Sequence, residues 1–86
     1  MMKVEIYTRP LCGYCSAAVK LLRSKEVEFS EIEAGFDPAK KREMLARSNG
    51  GSTFPQIFID GAHIGGCSEL MALEQAGELD KLLAAP

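Results

Sequence analysis

The stretch KVEIYTRPLCGYCSAAVKLL, residues 3–22, decides the fold of this chain. Its first residues alternate charged or polar with apolar side chains, which predicts a β-strand, and Pro10 then breaks the alternation. From Cys15 onward, apolar residues recur at helical spacing, so we expect a helix that begins near Cys12. A pair of cysteines, two residues apart, therefore lies at a predicted strand-helix junction.

The rest of the chain predicts further strands and helices in alternation. We expect a second strand, parallel to the first, at residues 27–33 and a helix capped by Asp37 at residues 39–48. Two short strands should follow at 56–59 and 62–64, and two helical segments at 68–76 and beyond Gly77. Met44 and Leu45 should face inward from the second helix. Asp60-Gly61 suits a type I′ turn, which predicts an antiparallel hairpin. Because no repeat or linker is visible, we expect one domain over residues 1–86.

Composition and charge narrow the classes of function. The 86 residues are 47% hydrophobic and 26% charged, the net charge is -2, and Lys40-Lys41-Arg42 is the longest basic block. This composition predicts a globular protein that binds neither nucleic acid nor an acidic membrane. No apolar run approaches the roughly 20 residues of a membrane span, and the N-terminus has no signal-peptide pattern. We therefore expect a cytoplasmic protein.

The Cys12-Gly13-Tyr14-Cys15 run points to redox chemistry or to half of a metal site. A helix N-terminus stabilises a thiolate, and Arg9 would add a positive charge, so the pKa of Cys12 should be lowered. Cys12 should lie exposed at the start of the helix and attack disulfides. Cys15 shares the apolar helix face, so it should be more buried and resolve the mixed disulfide.

Two other interpretations of the cysteines compete with this one. Both could be ordinary buried residues, although an exposed Cys-x-x-Cys at a helix start is a poor choice for a core. A zinc site would recruit Cys12, Cys15, His63 and Cys67, but this spacing matches no common zinc module. We expect His63 to be a surface residue of the hairpin. Cys67 is expected to be a half-buried residue at a helix start, with a regulatory thiol as the alternative.

The order of these motifs resembles the glutaredoxin family over nearly the whole chain: strand, Cys-x-Tyr-Cys helix, strand, helix, Thr-x-Pro, hairpin and Gly-Gly-Cys helix. The likeness is strongest to the small bacterial dithiol glutaredoxins. It implies an α/β, minimal thioredoxin-like fold with a four-stranded mixed sheet flanked by helices. It also implies a glutathione-dependent oxidoreductase that reduces glutathione mixed disulfides and protein disulfides. Its partners would be glutathione and glutathionylated or disulfide-containing proteins, and it would act as a monomer.

The same resemblance implies a glutathione site. Arg9 would meet the glycyl carboxylate, and the backbone of Phe54, followed by a cis Pro55, would bind the cysteinyl part as an added strand. The helix start at residues 66–68 would receive the glutamyl carboxylate. The residues assigned to glutathione in this way are Arg9, Tyr14, Thr53, Phe54, Pro55, Gly66, Cys67 and Ser68.

Departures from the family pattern suggest a second function. Gly13 replaces the usual proline, Phe54 replaces a valine, Ser68 stands where aspartate is frequent, and residues 49–52 lack a basic side chain. Relatives with glycine or serine at the proline position can share a [2Fe-2S] cluster between two chains, with Cys12 and glutathione as ligands. A cluster-bridged dimer is therefore the alternative. A non-catalytic adaptor should have lost the first cysteine, which this chain retains.

Overall fold

A four-stranded mixed sheet with helices on both faces is formed by residues 3–84, the part of the chain that the computed structural model describes. In chain order the elements are β1 (Val4–Thr8), α1 (Gly13–Ser24), β2 (Phe29–Glu33), α2 (Pro38–Arg47), β3 (Gln56–Ile59), β4 (Ala62–Gly65), α3 (Cys67–Gln75) and α4 (Leu79–Ala84). The strand order is β2-β1-β3-β4. β1 pairs in parallel with β2, whereas the β1-β3 and β3-β4 pairs are antiparallel. The predicted fold class is confirmed.

Alternation along the central strands divides the core into two layers. Successive side chains of a strand point to opposite faces, so Val4 and Ile6 lie in one layer and Tyr7 lies in the other. The first layer packs against α1, α3 and α4, and the second packs against α2 through Met44. Full burial of each large side chain stabilises the fold by roughly 1.5–3 kcal/mol. Met44 is buried, as predicted, whereas Leu45 is only half-buried, so its predicted inward position is confirmed only in part.

Local sequence signals account for most element boundaries. Asp37 Oδ1 accepts hydrogen bonds from the N–H groups of Ala39 and Lys40, both at 3.1 Å, which confirms the predicted N-cap. Asp60 and Gly61 have φ values of 52° and 84°, as a type I′ turn requires. None of the helices in residues 3–84 combines the length and the apolar character that a membrane span needs.

Several predicted boundaries are wrong by one or two residues, and the starts of β2 and α3 have clear local causes. β2 begins at Phe29 instead of residue 27, because Glu26 adopts a left-handed conformation, with φ at 58°, that prolongs the turn after α1. α3 begins at Cys67 instead of Ser68, with Gly66 as its N-cap. The Gly66 N–H donates to Glu69 Oε1 at 2.7 Å, which is half of a capping box.

Arg47 joins the end of α2 to β1. Its terminal nitrogens donate to both carboxylate oxygens of Glu5, at 2.8 and 3.1 Å, and Nη1 also donates to the Tyr7 hydroxyl at 2.8 Å. The guanidinium carbon lies 4.2 Å from the ring centroid of Phe58. The Glu5 side chain is only 12% exposed, and its hydrogen bonds with Arg47 lower the pKa of the carboxyl group. The sequence pattern did not predict this largely buried ion pair between Arg47 and Glu5.

Candidate active site

Cys12 ends the loop after β1 and forms the N-cap of α1. The Cys15 N–H donates to Cys12 Sγ, with a nitrogen-sulfur distance of 3.2 Å. As a thiol, Cys12 can donate to the carbonyl oxygen of Phe54, which lies 3.8 Å from Sγ. The cysteine motif and the loop before β3 are therefore in contact through Cys12 Sγ.

The burial of Cys12 differs from the prediction. Its exposed fraction is 8%, against 4% for Cys15, so both residues are buried and the expectation of an exposed Cys12 is wrong. The reason is the approach of Phe54, which lies 42 positions later in the chain. The residues near Cys12 in sequence carry no signal of this distant loop. The predicted order of burial, with Cys15 the more buried thiol, is confirmed.

The two thiols ionise differently. Burial acts to raise the pKa of Cys12, but the hydrogen bonds from Cys15, the charge of Arg9 and the backbone N–H of Tyr14 outweigh it, so the pKa is lowered. Burial, with the hydrogen bond to Cys12, raises the pKa of Cys15 to about 11. Because the thiolate is the reactive form, Cys12 is suited to attack while Cys15 stays protonated.

A cavity of about 560 Å³ brings together all eight residues that the sequence assigns to glutathione. Its lining residues from that set are Arg9, Tyr14, Thr53, Phe54, Pro55, Gly66, Cys67 and Ser68. The Phe54-Pro55 peptide bond is cis, as predicted. Three separate segments of the chain therefore converge on one cavity next to Cys12.

Ser52 and Glu69 also line this cavity, although sequence reasoning did not select them. Glu69 accepts the Gly66 N–H, so the first donor of the helix start is already used. The N–H groups of Cys67 and Ser68 are then the donors that α3 presents to an anion. A glutamate three residues after an N-cap is the signal that could have identified Glu69.

His63 and Cys67 are the remaining candidate ligands of a metal. His63 is exposed, as predicted, and its Nε2 lies 2.6 Å from Gln56 Oε1. Cys67 is half-buried at the first position of α3, as predicted, and burial together with the charge of Cys12 raises the pKa of its thiol. Within residues 3–84, no group of three or more His, Cys, Asp or Glu side chains is arranged to hold a metal ion.

Comparison with known proteins by sequence and by structure finds relatives of one family. A profile of the Glutaredoxin family matches residues 4–64. The chain is 53% identical over 83 residues to Glutaredoxin 3 of Escherichia coli (strain K12), which covers 96% of this chain and 99% of that protein. The solution structure of a Brucella melitensis glutaredoxin is 53% identical, with a TM-score of 0.83, over 96% of this chain and 89% of its own.

A buckwheat glutaredoxin, solved as a complex with glutathione, is also similar in structure. Its TM-score is 0.83 and its identity 30%, over 93% of this chain and 74% of its own. The matches to the Escherichia coli and Brucella melitensis proteins cover 96% of this chain, and the family match at residues 4–64 spans Cys12 and Cys15. The resemblance inferred from the motifs is therefore confirmed, and the chain belongs to the glutaredoxin family of redox proteins.

Proposed function

We propose that this chain is a glutathione-dependent thiol-disulfide oxidoreductase that reduces glutathione mixed disulfides and protein disulfides. The observation that carries the proposal is the single cavity, beside the low-pKa thiol of Cys12, that gathers every residue assigned to glutathione. Its volume of about 560 Å³ lies within the range of small-molecule sites, roughly 300–1,000 Å³. The glutathione complex of the buckwheat relative supports the same ligand for this chain.

The cavity offers suitable partners for the two carboxylates of glutathione. Arg9 would form a charge-assisted hydrogen bond with the glycyl carboxylate, and the N–H groups of Cys67 and Ser68 would bind the glutamyl carboxylate. The Phe54 carbonyl lies 3.8 Å from Cys12 Sγ. Hydrogen bonds between the cysteinyl part of glutathione and the Phe54 backbone would thus bring the glutathione sulfur to Cys12.

Reduction of a glutathione mixed disulfide needs only Cys12. Its thiolate attacks the glutathione sulfur, the substrate disulfide breaks, and the other thiol leaves as a thiolate that takes a proton from solvent. A second glutathione thiolate then attacks the adduct, releasing oxidised glutathione and the Cys12 thiolate. A low pKa serves both steps, because it populates the attacking thiolate and makes Cys12 a good leaving group.

Reduction of a protein disulfide also needs Cys15. The charge on Cys12 and its hydrogen bond both contribute to the high pKa of Cys15. Once Cys12 is joined to the substrate, that charge is gone and the pKa of Cys15 should fall. Cys15 would therefore become reactive at the stage when the mixed disulfide must be resolved.

The Cys15→Ser variant tests this proposal. We expect turnover of a small glutathione mixed disulfide to stay within about threefold of wild type, while reduction of a peptide disulfide falls by about a hundredfold or more. Both rates can be followed through the oxidised glutathione produced, and mass spectrometry should find a single glutathione on Cys12 of the variant. Loss of both activities, with the fold intact, would contradict the assigned division of roles.

Open space at Gly13 favours a second candidate function, a [2Fe-2S] cluster shared by two chains. A Cβ atom built on Gly13 would meet no atom within 4 Å, so the first turn of α1 leaves room for a partner. A cysteine with a lowered pKa, such as Cys12, is the kind of ligand that iron-sulfur clusters use. Among residues 3–84, no three His, Cys, Asp or Glu side chains are arranged to bind a metal together. The cluster ligands other than Cys12 would therefore come from glutathione and the second chain.

The Gly13→Pro variant examines the cluster hypothesis. Proline suits the first position of a helix, so the free energy of unfolding should rise by about 0.4–1 kcal/mol. Cluster binding should weaken because the ring fills the open space. Thermal unfolding and visible absorption after anaerobic reconstitution with iron, sulfide and glutathione are the measurements. A colourless, monomeric wild-type product would contradict cluster binding itself.

We further infer that residues 1–86 act as one domain and as a monomer when no cluster is bound. The proposed chemistry requires Cys12 and Cys15 to persist as thiols, which a reducing cytoplasm allows. A cytoplasmic location is therefore part of the same proposal.

A further inference from the structure

The cavity of about 560 Å³ that holds the residues assigned to glutathione is called the glutathione cavity. A second groove, which shares only Arg9 with it, reaches the cysteine pair. Its volume is about 540 Å³, and its lining includes Cys12, Cys15 and the α1 side chains Lys20 and Arg23. We name it the α1 groove. Cys12 and Cys15 both line it, whereas neither lines the glutathione cavity. A chain bonded to Cys12 and awaiting attack by Cys15 could therefore lie in the α1 groove while the glutathione cavity stays free.

The α1 groove is positively charged although the whole chain is acidic. Lys20 and Arg23 line it against a single carboxylate at Glu31, while the chain carries a net charge of -2. Arg9 adds a third cation at the border that the groove shares with the glutathione cavity. Among the ion pairs of residues 3–84, none involves these three cations. Glu31 Oε2 accepts a hydrogen bond from Thr8 Oγ1 at 3.0 Å and keeps its negative charge, so the cations of the groove outnumber its single carboxylate. The local excess of unpaired cations is complementary to an acidic partner.

Leu11 adds an apolar contact at the same groove. Its side chain is fully exposed and its φ is 56°, a left-handed conformation that is unusual for leucine. A large apolar side chain held in solvent directly before the nucleophile is suited to packing against a bound polypeptide. Charge and apolar contact together match a peptide segment better than a small ion.

We propose that the α1 groove binds the disulfide-bearing segment of protein substrates and selects segments with acidic side chains near the reactive cysteine. This inference rests on the proposed function and specifies its protein substrates. The Cys12 thiolate attacks one sulfur of the substrate disulfide, and the other sulfur leaves as a thiolate that solvent protonates. Deprotonated Cys15 then attacks Cys12 Sγ, which forms the Cys12-Cys15 disulfide and releases the second substrate thiolate. Two glutathione thiols reduce that disulfide and are themselves oxidised to glutathione disulfide.

Two peptides with the same internal disulfide test the proposal, one with aspartates and one with lysines next to the cysteines. At low ionic strength, we expect wild-type kcat/KM to favour the acidic peptide by about tenfold, and the preference should shrink as salt screens the groove. The Lys20→Glu, Arg23→Glu double variant should reverse the preference. A matched control, Lys41→Glu with Arg42→Glu, makes the same change in net charge on exposed residues of α2 and should keep the preference.

The outcomes separate the docking inference from the function on which it rests. An unchanged preference in the Lys20→Glu, Arg23→Glu variant, or an equal shift in the α2 control, would overturn docking in the α1 groove. Equal wild-type rates for the two peptides would overturn it as well. Wild-type turnover of the small mixed disulfide of glutathione and 2-mercaptoethanol, which contains no protein segment, reports the proposed function alone. If that turnover is present without a peptide preference, only the docking inference fails.

Discussion

Replacement of Cys12 by serine is expected to lower the rate of glutathione mixed-disulfide reduction by at least about a thousandfold. The cysteine sulfur attacks as a thiolate, which the Cys15 N–H at 3.2 Å and the charge of Arg9 stabilise. A serine hydroxyl at the same place stays protonated at neutral pH and is a poor nucleophile toward disulfide sulfur. Steady-state turnover of a small glutathione mixed disulfide, in the presence of glutathione, is the measurement.

The pH dependence of alkylation provides an independent check on the role of Cys12. Because the pKa of Cys12 is lowered, its reaction with iodoacetamide should rise with pH and level off at a pH below that of a free thiol, about 8.5. Arg9→Gln removes a charge that favours the thiolate, so the midpoint should move to higher pH. Retained turnover in Cys12→Ser, or a Cys12 midpoint above that of a free thiol, would contradict the assignment of the nucleophile.

Removal of the Arg47 side chain is expected to lower the free energy of unfolding by about 2–4 kcal/mol. An exposed ion pair contributes about 0–1 kcal/mol, whereas an unpaired buried charge costs roughly 3–5 kcal/mol. The Glu5 side chain is 12% exposed, so Arg47→Ala leaves a mostly buried carboxylate without its two hydrogen bonds. It also removes the cation stacked 4.2 Å from the Phe58 ring centroid. Denaturant unfolding of the two proteins measures the difference.

A control variant and a pH series distinguish this ion pair from general effects of charge. Arg42→Ala, on the exposed side of α2, should change stability by less than about 0.5 kcal/mol. The pKa of Glu5 is lowered in the folded state, so its contribution is present above the unfolded value near 4.3 and is lost as pH falls through the folded pKa. The stability gap between wild type and Arg47→Ala should therefore narrow in acid. A gap that does not depend on pH would contradict an electrostatic origin.

Local signals in the sequence determined the elements and the chemistry of the cysteine motif. Periodicity predicted the strand-helix junction, Asp37 predicted a helix cap, and Asp60-Gly61 predicted the hairpin, and all three are present. Such features depend on hydrogen bonds and side-chain spacing within a few residues, so the sequence alone is sufficient to indicate them. Motif order predicted the residues that line the cavity beside Cys12, since relatives with that order share the fold.

Contacts between distant segments decided the rest, beginning with the burial of Cys12. The Phe54 carbonyl lies near Cys12 Sγ although it is 42 positions away in sequence, and Arg47 at the end of α2 pairs with Glu5 of β1. The α1 groove likewise exists only once α1 is packed on the sheet. These interactions are set by how helices and loops pack on the sheet, and no local periodicity records which distant side chain will meet which. The helix start at Cys12 was therefore readable from the sequence, whereas the surroundings that tune its thiol required the tertiary structure.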